Sequence, residues 1–283
     1  MRPYCLGLYE KAMPASLTWK EKLEAAGKSG FDYVEISIDE SEEKLRRLNP
    51  THAERGELLR LMEETGVPIR SMCLSGHRKY PMGSLDPDIR ERSMEIMEKA
   101  VAFAAELGIR IIQLAGYDEY YNPGNQKTEE FFARNLEKAV SMAAASGVML
   151  GFETMETPFM DTVEKAMRYV GRVQSPYLGV YPDIGNLQNA ALLYRKPAPE
   201  DIGVGRGHIF AAHLKETAPG RYREVPYSTG HTDYAGCLTQ LKAQNVRRYV
   251  GEFWYLGSPE WEKDLKFASQ FLRGKLDSVW ENK

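Results

Sequence analysis

Eight short apolar runs recur along the chain, each followed by a longer segment with helical patterning. This alternation constrains the fold more than any other feature. The runs span residues 4–9, 33–37, 69–74, 109–114, 148–153, 178–181, 209–214 and 248–253. Helical patterning covers 18–28, 51–65, 88–107, 128–145, 161–172, 199–204, 234–244 and 259–280. Strands that alternate with helices pair in parallel, because only a crossover of a dozen or more residues returns the chain to the same edge. Eight such units in 283 residues match one α/β barrel of the (β/α)8 (TIM) type, whose usual size is about 250 residues. No Pro/Gly/Ser-rich linker interrupts the series, so the expectation is a single catalytic domain over 1–283.

Local chemistry supports the boundaries. Gly30, Gly66, Gly108 and Gly147 each follow a helical segment and precede a strand, where a left-handed C-cap favours glycine. The long breaks, 75–87, 115–127, 186–199 and 216–233, all follow a strand and precede a helix. The elaborated face is therefore the one at the strand C-termini, where barrels of this kind carry their sites.

Composition narrows the function. With 37 Lys+Arg against 40 Asp+Glu, the net charge of −3 offers no basic face for nucleic acid. No apolar run approaches the roughly 18 residues of a membrane span. Cys5, Cys73 and Cys237 form no CxxC pair, and the start of the chain shows no export pattern, so the expected setting is cytoplasmic.

Strands five to eight end on Glu153, Asp183, His213 and Glu252, spaced by roughly one strand-plus-helix unit. Four adjacent strands would then aim three carboxylates and an imidazole at one point. Any single strand-end acid is as well explained as a helix cap or half of an ion pair. Three together in a water-poor mouth repel one another unless a cation joins them. The set suits one divalent metal ion, Mn2+, Zn2+, Co2+ or Mg2+. His208 precedes its strand and belongs to the opposite end of the barrel.

Glu153 and Glu252 come from opposed sides of this point. If a 2-ketose chelated the ion through O2 and O3, one glutamate could take the C3 proton and the other return one to the opposite face. No GxGxxG or GxxxxGK[ST] motif suggests a nucleotide cofactor. Lys11 after strand one and the run His77-Arg78-Lys79 after strand three would place positive charge on one rim, suited to a phosphate, although a solvated charge run is the commoner meaning of such a triplet. Lys215 would reach a substrate oxygen or lie at the surface. Asn186 would bond a hydroxyl or brace a turn. Glu35 and Gln113 would line the pocket behind the ligands, and Asp233 reads as a helix N-cap rather than, with His231, a further metal site.

The sequence resembles the metal-dependent sugar epimerases and isomerases of the xylose-isomerase-like barrel superfamily, and among them the bacterial L-ribulose-5-phosphate (L-xylulose-5-phosphate) 3-epimerases of L-ascorbate and L-xylulose catabolism. The carrying segments are Leu6-Gly7-Leu8-Tyr9-Glu10-Lys11-Ala12, Phe31-Asp32-Tyr33-Val34-Glu35, Ser71-Met72-Cys73-Leu74-Ser75 with His77-Arg78 and Pro81, Ile112-Gln113-Leu114-Ala115-Gly116-Tyr117-Asp118, Tyr181-Pro182-Asp183-Ile184-Gly185-Asn186-Leu187, and Gly207-His208-Ile209 through His213. The resemblance implies a divalent metal on Glu153, Asp183, His213 and Glu252, with the two glutamates as the acid/base pair. It also implies a small sugar phosphate as substrate, its C5 phosphate near Lys11, His77 and Arg78, and a homodimer. Related D-tagatose 3-epimerases carry histidine at the position of Asn186, so this chain departs from them there. The competing readings are an aldose–ketose isomerase on a sugar phosphate such as a hexulose 6-phosphate, an endonuclease-IV-like nuclease and a non-catalytic sugar-phosphate sensor. The nuclease would require more histidines after strands three and four, where this chain has Gln113.

Overall fold

A computed structural model describes residues 2–281. Its eight strands are β1 (Cys5–Tyr9), β2 (Tyr33–Ile38), β3 (Ile69–Leu74), β4 (Ile111–Ala115), β5 (Met149–Glu153), β6 (Leu178–Val180), β7 (Ala212–Leu214) and β8 (Arg248–Gly251). They form one parallel sheet in the order β6-β5-β4-β3-β2-β1-β8-β7. Isolated parallel bridges Val180↔Ile209 and Asp183↔His213 join β6 to β7 and close the barrel. The expected eight-stranded TIM barrel is the fold.

Helices α1 (Trp19–Lys28), α3 (His52–Thr65), α4 (Pro87–Leu107), α5 (Gln126–Ala145), α6 (Val163–Val173), α8 (Ala198–Val204), α9 (Tyr234–Ala243) and α10 (Trp261–Trp280) follow the expected segments. Capping boxes start three of them, Thr18 with Glu21, Thr51 with Glu54 and Asn125 with Thr128, each satisfying otherwise unpaired amide groups. Gly66 and Gly108 end α3 and α4 at φ 67° and 73°, where a Cβ would crowd the following carbonyl; Gly30 and Gly147 also take positive φ. Asp233 caps α9 by accepting the Gly236 amide at 2.9 Å.

Two helices lie where the sequence suggested loop. The stretch 186–199 is not an open loop: most of it belongs to α7 (Ile184–Tyr194), where the Asp183 side chain caps the Asn186 amide. Its buried Ile184, Leu187 and Ala190 recur at i, i+3 and i+6, a face too short and too interrupted by Gly185, Asn186 and Asn189 to stand out. A single turn, α2 (Glu42–Arg46), capped by Ser41, interrupts the connection after β2.

Strand parity divides the core. Leu6, Leu8, Val34, Ile36, Met72, Ile112, Leu150 and Phe152 face the helices in the main apolar cluster. Tyr9, Tyr33, Cys73, Ile111, Tyr181, Ala211 and Val250 form a second cluster inside the barrel. A Cβ on Gly7 would stand 2.4 Å from the Tyr33 ring, so that ring fills the barrel floor only because position 7 has no side chain. The same parity turns Glu35, Ser71, Gln113 and Glu153 inward, on strands paired Glu35↔Ser71, Cys73↔Gln113 and Ala115↔Glu153.

Candidate metal centre and barrel mouth

The C-terminal ends of β5 to β8 bring Glu153, Asp183, His213 and Glu252 together, all buried, with one potential ligand atom from each within 4.8 Å of the others. Glu153 is the last residue of β5 and Glu252 follows β8 directly. His213 sits inside β7, and Asp183 belongs to the turn that caps α7. His213 Nδ1 lies 3.3 Å from both Glu153 Oε1 and Glu252 Oε2. Asp183 spends Oδ1 on the Asn186 amide at 2.8 Å. Asp183 Oδ2 and Glu252 Oε2 are buried without a well-oriented hydrogen bond, and the Lys215 ammonium stands 2.7 and 3.3 Å from them. Spacings of this size match four ligands about 2.0–2.3 Å from a common centre, and clustered carboxylate oxygens with an imidazole nitrogen are what a hard or borderline cation takes. The residues fit a divalent metal.

Behind the ligands lies a polar layer. His213 Nε2 is 2.6 Å from Glu35 Oε1, while Glu35 Oε2 accepts from Ser71 Oγ at 2.7 Å and Tyr181 Oη at 2.8 Å. The imidazole is thereby held at Nε2 with Nδ1 facing the acids, the arrangement that orients a ligand histidine. Gln113 Nε2 donates to Glu153 Oε2. Glu35 and Gln113 are interior positions of β2 and β4, turned inward by the period-two pattern.

Burial and the neighbouring Glu252 charge push the Asp183 carboxyl up to about 8, against the pull of Lys215. Glu153 is raised by burial and by Glu252. Burial opposes ionisation of Glu252 too, yet Lys215 and His213 outweigh it and hold that carboxyl low. For His213 the surrounding acids, Glu35 foremost, overcome the burial that would lower it. Protons and an ammonium thus supply the positive charge that three packed carboxylates demand.

Above this centre opens a cleft lined by Tyr9, Ser75, Tyr222, Trp254 and the groups discussed next. Lys11 and Arg78 are on its wall. Lys11 Nζ is 2.6 Å from Asp39 Oδ2, and the Arg78 guanidinium stands 4.8 Å from the Tyr120 ring centre with a buried Nε that lacks an acceptor. His77 is a correction to the sequence expectation. Its ring turns away from the cleft, buried at 1% exposure, with Nε2 3.2 Å from the Ser93 carbonyl of α4. Burial pushes its pKa down to about 4, so it is neutral near pH 7 and adds no charge to the rim. Asn186 lines the cleft, donates from Nδ2 to the Thr154 carbonyl at 2.8 Å, and keeps a buried Oδ1 unpaired. Lys215 is buried rather than superficial, 2.7 Å from Asp183 Oδ2. His231 contacts Thr217 Oγ1 and is not among the clustered ligands.

Sequence reasoning missed Glu156 and Arg223, paired at 2.9 Å across the cleft from the loops after β5 and β7. Tyr117 and Tyr120 donate to the same carboxylate at 3.2 and 3.3 Å. No local pattern marks either residue, because loop tips carry no periodicity. Trp254 had a usable signal: it stands two residues past Glu252, on the same side of an extended chain.

Against known proteins, residues 23–274 match the family model described as xylose isomerase-like TIM barrel. The chain is 44% identical over 286 residues to the SgbU protein of Escherichia coli (strain K12), covering 99% of each chain. It is 42% identical over 272 residues to the L-ribulose-5-phosphate 3-epimerase UlaE of the same organism and strain, covering 96% of this chain and 94% of that one. A crystal structure of a D-tagatose 3-epimerase-like protein superposes with a TM-score of 0.79 at 18% identity, covering 98% of both chains, a likeness of fold. The chain belongs to the xylose isomerase-like TIM barrel family, in the branch that contains SgbU and UlaE. Among the described residues no helix is long and apolar enough to cross a membrane.

Proposed function

We propose that this chain is a metal-dependent 3-epimerase that interconverts L-ribulose 5-phosphate and L-xylulose 5-phosphate. The carrying observation is the pair Glu153 and Glu252, which approach one histidine nitrogen from strands separated by β6 and β7, at the floor of a cleft with cationic groups on its rim. The 42% identity to UlaE over nearly the whole chain supports the same substrate class.

Glu153, Asp183, His213 and Glu252 would hold the ion. Bound there, it would polarise the sugar's C2 and C3 oxygens and make the C3 hydrogen acidic. One of the two glutamates removes that hydrogen as a proton, and the other delivers a proton to the opposite face, which inverts C3. Gln113 holds the Glu153 carboxylate in place, and the Glu35 layer fixes the imidazole. Asn186 Oδ1 accepts from a sugar hydroxyl. Lys11 and Arg78 receive the phosphate, Arg78 with the donor that has no acceptor within the protein. Tyr9 and Trp254, whose rings stand edge to face at 6.2 Å, exclude water from the reacting carbons.

Proton NMR of the protein with Mg2+ and L-xylulose 5-phosphate in D2O tests this. Deuterium is expected at C3 together with a second set of ketose signals. Exchange confined to C1 would instead identify an aldose–ketose isomerase.

A further inference from the structure

The side chain of Lys215 is only 5% exposed, and its ammonium lies among the acids of the candidate metal centre. Nζ is 2.7 Å from Asp183 Oδ2 and 3.3 Å from Glu252 Oε2. Both acids belong to the cluster that could hold a divalent ion, and apart from the ammonium and the His213 ring these two buried oxygens face no donor. The fold brings the lysine there deliberately close. A Cβ on Gly185 would fall 2.7 Å from the Lys215 carbonyl oxygen, so the first turn of α7 packs against this backbone only with glycine at that position. The Trp254 ring centre stands 5.9 Å from the ammonium. Besides these contacts, Lys215 lines the cleft above.

An ammonium and a divalent ion compete for the same oxygens, since they repel each other in a site with little water to screen them. We propose that Lys215 is a built-in counter-cation that exchanges with the metal. Its ammonium keeps Asp183 and Glu252 together while the centre lacks an ion, and it gives up those oxygens when a divalent ion takes them. The lysine then turns into the cleft, where a sugar oxygen is its natural partner. Two consequences follow. The metal binds less tightly than its four ligands alone would dictate, because the lysine contacts must be broken first. Metal and ketose binding also reinforce each other, since the ion releases a group that the sugar uses.

This inference rests on the metal-centre reading above, and Mn2+ binding by calorimetry separates the two. The Lys215→Met variant, which keeps the volume and removes the charge, is expected to bind Mn2+ at least about tenfold more tightly than the wild type. Its metal-free form is expected to melt at a lower temperature and to gain more from Mn2+. Equal or weaker Mn2+ binding by a folded Lys215→Met protein overturns the exchange. A wild-type protein that takes up no Mn2+ overturns both the exchange and the metal centre. Should the variant fail to fold, 15N-lysine NMR of the wild type decides. A buried ammonium signal that shifts on one equivalent of Zn2+ is expected, and one that stays in place while Zn2+ binds overturns the exchange.

Discussion

His77 and Arg78 are adjacent in the chain and face different surroundings. A short 3₁₀ turn after β3 (Ser75–Arg78) directs the first toward α4 and the second toward the cleft. Arg78→Ala is therefore expected to raise KM for the 5-phosphate at least about tenfold while leaving kcat nearly unchanged, since a charge-assisted contact is worth roughly 1.5–3 kcal/mol. His77→Gln should leave KM alone. The histidine shows itself through pH. A group whose folded pKa is depressed stabilises above its unfolded value and loses that contribution as pH falls. Urea midpoints of the wild type should thus drop between about pH 6.5 and pH 4, and the drop should shrink in His77→Gln. The triplet His77-Arg78-Lys79 was legible as charge near a mouth. Which member entered the cleft was not, because a 3₁₀ turn rotates successive side chains about a third of a circle apart and the chain gives no sign of which direction is inward.

At the scale of elements, the first two βα connections are joined through Glu10. Its carboxylate, 1% exposed, accepts from the Ser37 amide at 2.9 Å and pairs with Lys22 of α1, Lys44 of α2 and Arg47 just beyond it, at 2.9, 2.7 and 2.8 Å. Burial alone would raise this carboxyl; Arg47, Lys44 and Lys22 outweigh it and hold the pKa at about 2. With an unfolded value near 4.5, the stabilisation is complete above that pH and disappears as pH falls toward 2. Glu10→Gln would leave three cations without their common partner, and a loss of about 3–5 kcal/mol in chemical unfolding at pH 7 is expected. A loss below 1 kcal/mol would show that water already screens the cluster. Sequence patterning located α1 but neither α2 nor the cluster, since its members come from separate elements and no periodicity links them. Helix α7 escaped for another reason. Its apolar face amounts to three residues, and tertiary packing over the barrel sustains it more than propensity does.

For the whole molecule, closure at the β6/β7 seam matters most. Only isolated bridges join these short strands, and one of them pairs Asp183 with His213. Two ligands therefore sit at the seam with the shortest pairing, and a bound ion would tie it together. Adding Mn2+ to chelator-treated protein is expected to raise Tm, with about 2.7 kcal/mol of stabilisation at a concentration of 100 Kd. Chelator should abolish epimerisation and Mn2+ restore it. Full activity in the presence of excess chelator, or a Tm indifferent to the ion, would remove the metal from the account.

The amino-acid sequence alone determined the eight-fold alternation, the glycine-closed helix ends, and the strand-end positions of Glu153, Asp183, His213 and Glu252. Each follows from local periodicity or capping chemistry, which neighbours in the chain decide among themselves. Tertiary structure alone decided that Glu35 braces His213 in particular, that Lys215 lies among the acids, that Arg223 meets Glu156 across the cleft, and that His77 faces away from it. Those relations join residues from different strands and loops, so they exist only once barrel closure has set register and distance.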